Sequence, residues 1–147
     1  MRRFEGRRVL ITAGASGLGL GMALRLAEEG AAVTVWDRDA EALAAIEKAG
    51  HDLRNVCLDM TSAQDIEAAV AEMGEAGQID VLVNNIGGSL HTPFRFLEQS
   101  EEDWERVMDV NITACVRTTR AVLPHMVKVA YGRVINMGSK AGRFGSL

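Results

Sequence analysis

The chain has little cysteine, little proline and few aromatic residues. Its 147 residues include two cysteines, two prolines, two tryptophans, one tyrosine and four phenylalanines. Cys57 and Cys115 stand alone, without the spacing of metal ligands, so we expect no metal site and two buried, reduced thiols. With 48% hydrophobic and 24% charged residues, the chain has enough apolar side chains to bury a core without disulfides or metal ions.

Long hydrophobic runs and an excess of positive charge are also missing. No apolar stretch approaches 18 residues and the N-terminus lacks a hydrophobic signal core, so we expect a cytoplasmic protein that does not cross a membrane. Sixteen Lys and Arg stand against twenty Asp and Glu, a net charge of −4. We therefore expect no large basic surface for nucleic acid or anionic lipid, and we interpret the cluster of Arg2, Arg3, Arg7 and Arg8 as a solvated edge.

A glycine-rich turn follows the first apolar run. Val9–Thr12 has the pattern of a short strand, and apolar spacing typical of a helix runs from Met22 to Ala27. Glycines between them would let the backbone turn tightly and approach a pyrophosphate, whose charge the free N–H groups of the helix start attract. The alternative is an ordinary strand-to-helix turn. The turn residues are Ala13, Gly14, Ala15, Ser16, Gly17, Leu18 and Gly19.

An acidic residue ends the second predicted strand. Asp37 follows the strand pattern of Val33, Val35 and Trp36 and lies 18 residues after Gly19. This is near the offset of about 20 residues at which an acidic side chain meets the adenosine ribose. A carboxylate there accepts hydrogen bonds from both ribose hydroxyls and repels a 2′-phosphate, so we predict NAD rather than NADP. Arg38 favours NADP, because a guanidinium could hold that phosphate. The structural alternative for Asp37 is an acid at the start of the next helix.

Strand and helix patterns alternate along the rest of the chain. Further strands are predicted at 56–58, 79–83 and 134–137, with helices between them. Thr61 with Gln64 has the spacing of a capping box for the third helix. Repeated strand–helix units build a parallel sheet covered on both faces, with right-handed crossovers. We therefore predict one α/β domain over residues 1–147, with a doubly wound parallel sheet.

Five motifs resemble those of the short-chain dehydrogenases/reductases. The turn at 12–19 is similar to the family's T-G-x-x-x-G-x-G, although Ala13 stands where the first glycine is usual, and we expect Gly14 to supply the flexibility instead. Ile86 replaces an alanine of the family's N-N-A-G. We identify the chain as a member of this family because the motifs occur in the family's order, from about Gly6 to Gly145. The other four are Leu58-Asp59-Met60, Asn84-Asn85-Ile86-Gly87, Val110-Asn111-Ile112 and the segment 132–139 that ends in Ser139.

The resemblance implies a Rossmann fold with strand order 3-2-1-4-5. It also implies an oxidoreductase that moves a hydride between nicotinamide and a small alcohol or ketone, and a complete protein that is a homo-oligomer, either dimer or tetramer. Ser139 and Asn111 are the catalytic candidates. The resemblance, together with the glycine turn and Asp37, also suggests a set of cofactor-binding residues. They are Thr12, Gly14, Ser16, Gly17, Leu18, Gly19, Asp37, Arg38, Asp59, Met60, Asn85, Ile86 and Gly87.

Each catalytic candidate has a structural alternative. Ser139 could only make a turn at a strand end, and Asn111 could mark a helix kink or be a satisfied core amide. The family's general base is a tyrosine about a dozen residues after the serine, with a lysine four residues later. The only tyrosine here is Tyr131, and Ile135 stands at the lysine's spacing. We therefore expect the 147 residues alone to be inactive or nearly so, and to be part of a longer polypeptide.

Two other function classes stay open at this point. A chain without the tyrosine would suit a non-catalytic dinucleotide-binding or sensing module. It would also suit a structural subunit that pairs with a full-length homologue. Cofactor binding separates the structural subunit from the other two classes, and turnover separates the enzyme from the sensing module.

Overall fold

A computed structural model of the chain describes residues 2–73 and 78–139. Five parallel strands form one sheet in the order β3-β2-β1-β4-β5. The predicted α/β class, Rossmann fold and strand order are therefore confirmed. The strands are β1 (Arg8–Thr12), β2 (Ala32–Asp37), β3 (Arg54–Cys57), β4 (Val81–Asn84) and β5 (Arg133–Asn136).

Helices alternate with the strands and cover both faces of the sheet. A short 3₁₀ turn, Phe96–Glu98, precedes α4, which continues through a π-helical turn, Asp109–Thr113, into α5. Such π turns occur frequently at functional sites. In the described part of the chain, no helix is long and apolar enough for a membrane span. The helices are α1 (Gly17–Glu28), α2 (Ala40–Lys48), α3 (Ala63–Met73), α4 (Glu101–Met108) and α5 (Ala114–Lys128).

β1 is the central strand and is buried on both faces. Its residues 9–12 are all buried, because helices cover both sides of a parallel sheet and alternate side chains point to opposite sides. Leu10 belongs to the core on one side, together with Trp36. Ile11 belongs to the core on the other side, together with Ala23 of α1. The apolar run at the start of the sequence thus anchors the turn that follows it.

The cap of α3 differs from the predicted capping box. Ser62, not Thr61, is the cap, because its Oγ accepts a hydrogen bond from the backbone N–H of Asp65 at 3.2 Å. The Thr61 hydroxyl instead donates to Asp59 Oδ1 at 2.8 Å. Two adjacent hydroxyl residues offered equivalent caps, and the carboxylate two residues earlier engages the first of them.

The cysteines are not both buried, so that prediction was wrong. Cys57 ends β3, an edge strand, and its side chain is exposed, while Cys115 near the start of α5 is partly exposed.

The other edge strand, β5, and the helix α5 carry exposed apolar side chains. Ile135 of β5 is 46% exposed, and on α5 Leu123 is 44% and Val127 70% exposed.

Candidate functional site

The carboxyl ends of the parallel strands lie along one edge of the sheet, and most predicted site residues follow those ends. β1 leads into the glycine turn, β2 ends at Asp37, and the segment 85–87 follows β4. Two hydrogen bonds bring these three segments together. Asp37 Oδ2 accepts from the backbone N–H of Ala15 at 3.0 Å, and Asn85 Nδ2 donates to the Ala13 carbonyl at 2.9 Å.

The N-terminus of α1 is open towards this edge. Ser16 is the N-cap residue in an extended conformation, but its side chain accepts no capping bond, and the first turn contains no acidic residue. Within the described residues, no side chain accepts from the first N–H groups of α1, and such free N–H groups at a helix start favour an anion. Gly17 begins the helix with a φ of +53°, which favours glycine. Leu18 is 75% exposed beside it.

Gly19 allows the closest approach in the turn. A Cβ at this position would overlap the Ala13 carbonyl oxygen and would lie 2.7 Å from Asn85 Nδ2 and 2.8 Å from Gly14 Cα. Real Cβ atoms do not approach other atoms so closely, so any side chain here must displace the turn. Gly19 thereby allows α1 to pack directly against the ends of β1 and β4.

At the start of the turn the left-handed residue is Ala13, not Gly14. Ala13 has a φ of +50°, whereas Gly14 is not among the residues with positive φ. The expectation that Gly14 supplies the flexibility was therefore wrong. Gly14 supplies space instead, because a Cβ there would lie 2.8 Å from Val35 Cγ1. An alanine pays about 1–2 kcal/mol for the left-handed conformation.

We expect Ala13→Gly to stabilise the fold. The substitution removes the left-handed penalty, and the larger backbone entropy of glycine in the unfolded chain offsets about 0.5–1 kcal/mol of that gain. The free energy of unfolding, measured by urea denaturation, should rise by about 0.5–1 kcal/mol. Ala15→Gly is the matched control, since buried Ala15 has no positive φ and should lose stability. Equal destabilisation by both substitutions would contradict this account of the turn.

Thr12 ties β1 to the segment after β4. Its hydroxyl accepts from the backbone N–H groups of Asn85 at 3.0 Å and Ile86 at 3.1 Å, and it donates to the Val83 carbonyl at 3.4 Å. Thr12 is fully buried. Any contribution of Thr12 to ligand binding is therefore made through the backbone that it positions.

Asp37 is a buried carboxylate that joins the turn to β2. Besides Ala15, it accepts a hydrogen bond from the Asp39 N–H, through Oδ1 at 3.1 Å. Asp39, not Asp37, caps α2 by accepting from the Ala42 N–H at 3.0 Å. The helix-start alternative for Asp37 is therefore not needed. Each oxygen of Asp37 keeps a lone pair that could accept a further hydrogen bond.

Asp59, Arg38 and Thr61 lie beside a cleft at this edge. The backbone N–H of Thr61 donates to Asp59 at 2.9 Å and its hydroxyl also donates, and together with the nearby charge of Arg38 these bonds hold the pKa of Asp59 below its ordinary value. Met60 is buried in the core, so only its backbone is available to a ligand. The cleft has a volume of ≈ 620 Å³, and among its lining residues are Arg38, Thr61, Gly88, His91, Arg106 and Val110.

Asn111 lies in the π turn and clamps the loop after β4. Its Nδ2 donates to the carbonyls of Gly88 at 2.9 Å and Val107 at 2.8 Å, and its Oδ1 accepts from the Gly88 N–H at 3.0 Å. A Cβ on Gly87 would lie 2.8 Å from that Oδ1. The satisfied-amide alternative thus describes Asn111 well, and one lone pair of Oδ1 is still open.

Ser139 follows β5 at the same edge and is exposed.

The sequence patterns did not predict two further groups of polar contacts. Buried Asn84 donates through Nδ2 to Thr119 Oγ1 at 3.0 Å and to Asn136 Oδ1 at 2.9 Å. Arg117 donates to the Thr61 carbonyl and to Asp109. Arg117 is 56 residues from Thr61 in the sequence, so no local spacing indicates that contact.

Over residues 2–73 and 78–139, no group of three or more His, Cys, Asp or Glu side chains is arranged so that it could hold a metal ion.

The chain is similar to known dehydrogenases and reductases over nearly its whole length. It is 35% identical over 147 residues to the 2-dehydro-3-deoxy-L-rhamnonate dehydrogenase (NAD(+)) of Sphingomonas sp. strain SKA58, covering 98% of this chain and 58% of that protein. NAD+-bound xylitol dehydrogenase superposes with a TM-score of 0.87 at 33% identity, covering 98% and 57% of the two chains. A variant of actinorhodin polyketide ketoreductase with NADPH superposes with a TM-score of 0.88 at 33% identity, covering 100% and 58%.

The chain therefore spans 57–58% of the length of these three proteins. The sequence profile of the family described as short chain dehydrogenase matches residues 7–147. The order of the five strands also agrees with the order that the sequence motifs implied. Profile and fold together show that the chain belongs to the short-chain dehydrogenase family.

Proposed function

We propose that the chain is the cofactor-binding portion of an NAD(H)-dependent oxidoreductase that acts on an alcohol or a ketone. The observation that carries this proposal is the position of Asp37. Its carboxylate accepts the Ala15 N–H and so lies against the glycine turn. A ribose that hydrogen-bonds Asp37 would therefore have its pyrophosphate close to the N-terminus of α1.

In this proposal, different residues of the carboxyl edge bind different parts of the cofactor. The N–H groups at Gly17 and Leu18 would meet the pyrophosphate, and Asp37 would accept the ribose hydroxyls. Asp59 and the cleft beside Arg38 would take the adenine end. Thr12 binds the backbone N–H groups of Asn85 and Ile86, and Asn111 binds the backbone of Gly88 just beyond them. The backbone at 85–87 would line the path towards the nicotinamide ring.

Ser139 would hydrogen-bond the substrate oxygen and stabilise the charge that develops there as the hydride moves. The bound nicotinamide supplies the hydride chemistry. Asn111 would keep the loop after β4 in the geometry that the reaction needs. The homo-oligomeric state and the cytoplasmic location stay predictions from the sequence.

A non-catalytic dinucleotide-binding module is the second candidate, and the place of Tyr131 favours it for these residues alone. Tyr131 precedes β5, whereas Ser139 follows it, so the two lie at opposite edges of the sheet. The guanidinium carbons of Arg7 and Arg133 lie 4.3 Å and 5.1 Å from the centroid of the Tyr131 ring. This tyrosine cannot exchange a proton at the carboxyl edge.

Cofactor preference tests the proposal. We expect NADH to bind at least about tenfold more tightly than NADPH in fluorescence titrations, because a hydrogen bond to a charged group is worth about 1.5–3 kcal/mol. Asp37→Ala should remove most of that preference by weakening NADH. Asp39→Ala is the matched control, since it removes only the cap of α2. Equal or tighter binding of NADPH by the unsubstituted chain would mean that Arg38 controls the site.

A further inference from the structure

Arg117 joins two segments that are distant in sequence. It lies on α5, and its Nη1 donates both to the backbone carbonyl of Thr61 and to Asp109 Oδ1, the latter at 3.1 Å. Thr61 belongs to the loop between β3 and α3, 56 residues earlier. Asp109 is the first residue of the π turn. One guanidinium therefore holds a loop against a helix.

The two segments form walls of the same cleft. Thr61 lines it from the loop side, and Asp109 and Val110 line it from the π turn. Further hydrogen bonds extend both walls. Thr61 donates to Asp59 on one side, and on the other side the π turn carries Asn111, which binds both polar backbone groups of Gly88. Arg117 thus closes a chain of contacts from Asp59 to the loop after β4.

A half-exposed ion pair contributes little to stability, about 0–1 kcal/mol. The Arg117 and Asp109 side chains are each 38% exposed, so stability alone gives a weak reason for this arrangement. A fixed distance between two walls matters more to a ligand that touches both, because a preformed site loses less entropy on binding.

We propose that Arg117 is a positioning residue for the adenosine half of the dinucleotide. It holds the Thr61 wall and the π-turn wall at the spacing that this half needs, and it has no contact of its own with the cofactor. The inference rests on the proposed function, because it takes the cleft beside Asp59 and Arg38 as the place of the adenine end.

Two truncated ligands test this role. ADP-ribose carries the adenosine half without nicotinamide, and reduced nicotinamide mononucleotide carries the other half. We expect Arg117→Met to weaken ADP-ribose about five- to tenfold, as the loss of a charged but partly exposed donor predicts. Reduced nicotinamide mononucleotide should change less than about twofold. Arg117→Lys should restore part of the loss, because an ammonium can satisfy one of the two acceptors but lacks the fork of a guanidinium.

Arg120→Met is the matched control, since Arg120 is exposed on the same helix three residues later and does not line this cleft. It should leave both affinities unchanged. If Arg117→Met does not fold, Asp109→Asn weakens the same tie without changing the shape of the side chain, and the same selective loss is expected. Calorimetric titration measures all affinities, and thermal unfolding checks each variant.

The outcomes separate the two proposals. Selective loss of ADP-ribose affinity supports the role of Arg117. Equal loss of both ligands, or no loss of either, overturns it while the proposed function stands. If the unsubstituted chain binds neither ADP-ribose nor NADH, the proposed function fails, and the inference about Arg117 fails with it.

Discussion

Gly19→Val should weaken NADH binding by about 100-fold, which corresponds to about 2.8 kcal/mol of binding free energy. The reason is steric, because the new Cβ would overlap the Ala13 carbonyl oxygen and lie 2.7 Å from Asn85 Nδ2. The Ala13 oxygen belongs to the backbone, and the Asn85 amide is held by its hydrogen bond to that same oxygen. The turn must therefore move away from the place where the pyrophosphate is proposed to bind.

Gly21→Val is the matched control for this substitution. Gly21 lies two residues later on α1, and a Cβ there would meet no atom within 4 Å. It carries the same β-branched penalty in a helix, so both variants lose similar helix propensity. Fluorescence titration with NADH should separate them, and circular dichroism should show helical content in both. Equal affinities for the two variants would show that the turn is only a connection.

Ser139→Ala should lower kcat strongly in any longer form of the protein that has a tyrosine about a dozen residues beyond Ser139 and a lysine four residues later. Substituting that tyrosine by phenylalanine should cost about 10²- to 10⁴-fold, the usual contribution of general acid–base catalysis. The two effects should not add, because both groups act on one substrate oxygen in the same transition state. Stopped-flow measurement of NADH oxidation gives both rates.

Ser100→Ala is the control for the serine substitution. Ser100 caps α4 by accepting from the Asp103 N–H at 3.2 Å, so its loss should cost about 1 kcal/mol of stability and leave kcat unchanged. The 147-residue chain alone should show no hydride transfer to simple alcohols or ketones. Robust turnover by that chain would contradict the mechanism, because its single tyrosine lies at the opposite edge of the sheet from Ser139.

The fold could be predicted because local patterns determine it. Short apolar runs alternate with segments whose apolar residues have helical spacing, and this alternation indicates strand–helix units. The right-handed crossover leaves few ways to arrange such units. The glycine turn between Thr12 and Gly19 was predictable for the same reason, since its glycines stand between a strand pattern and a helix pattern in the sequence. The position of Asp37 at the end of its strand followed from counting residues.

The remaining features depend on contacts that sequence spacing does not encode. Asn111 binds Gly88, 23 residues away, and Arg117 binds Thr61, 56 residues away. Both contacts arise only when the π turn and α5 pack beside the loops at the carboxyl edge. The left-handed Ala13 escaped prediction because a neighbouring glycine offered a less strained choice on local grounds alone.

The central claim is that the carboxyl edge of the sheet binds NAD. An NMR titration of the isotopically labelled chain with NADH, followed through its backbone amides, tests this claim most directly. The account predicts shifts concentrated at Ser16–Gly19, at Asp37 and at Ile86, and saturation at a lower concentration than with NADPH. Chemical-shift changes concentrated at the amino ends of the strands, around the groove lined by Arg8 and Arg54, or no changes at all, would contradict it.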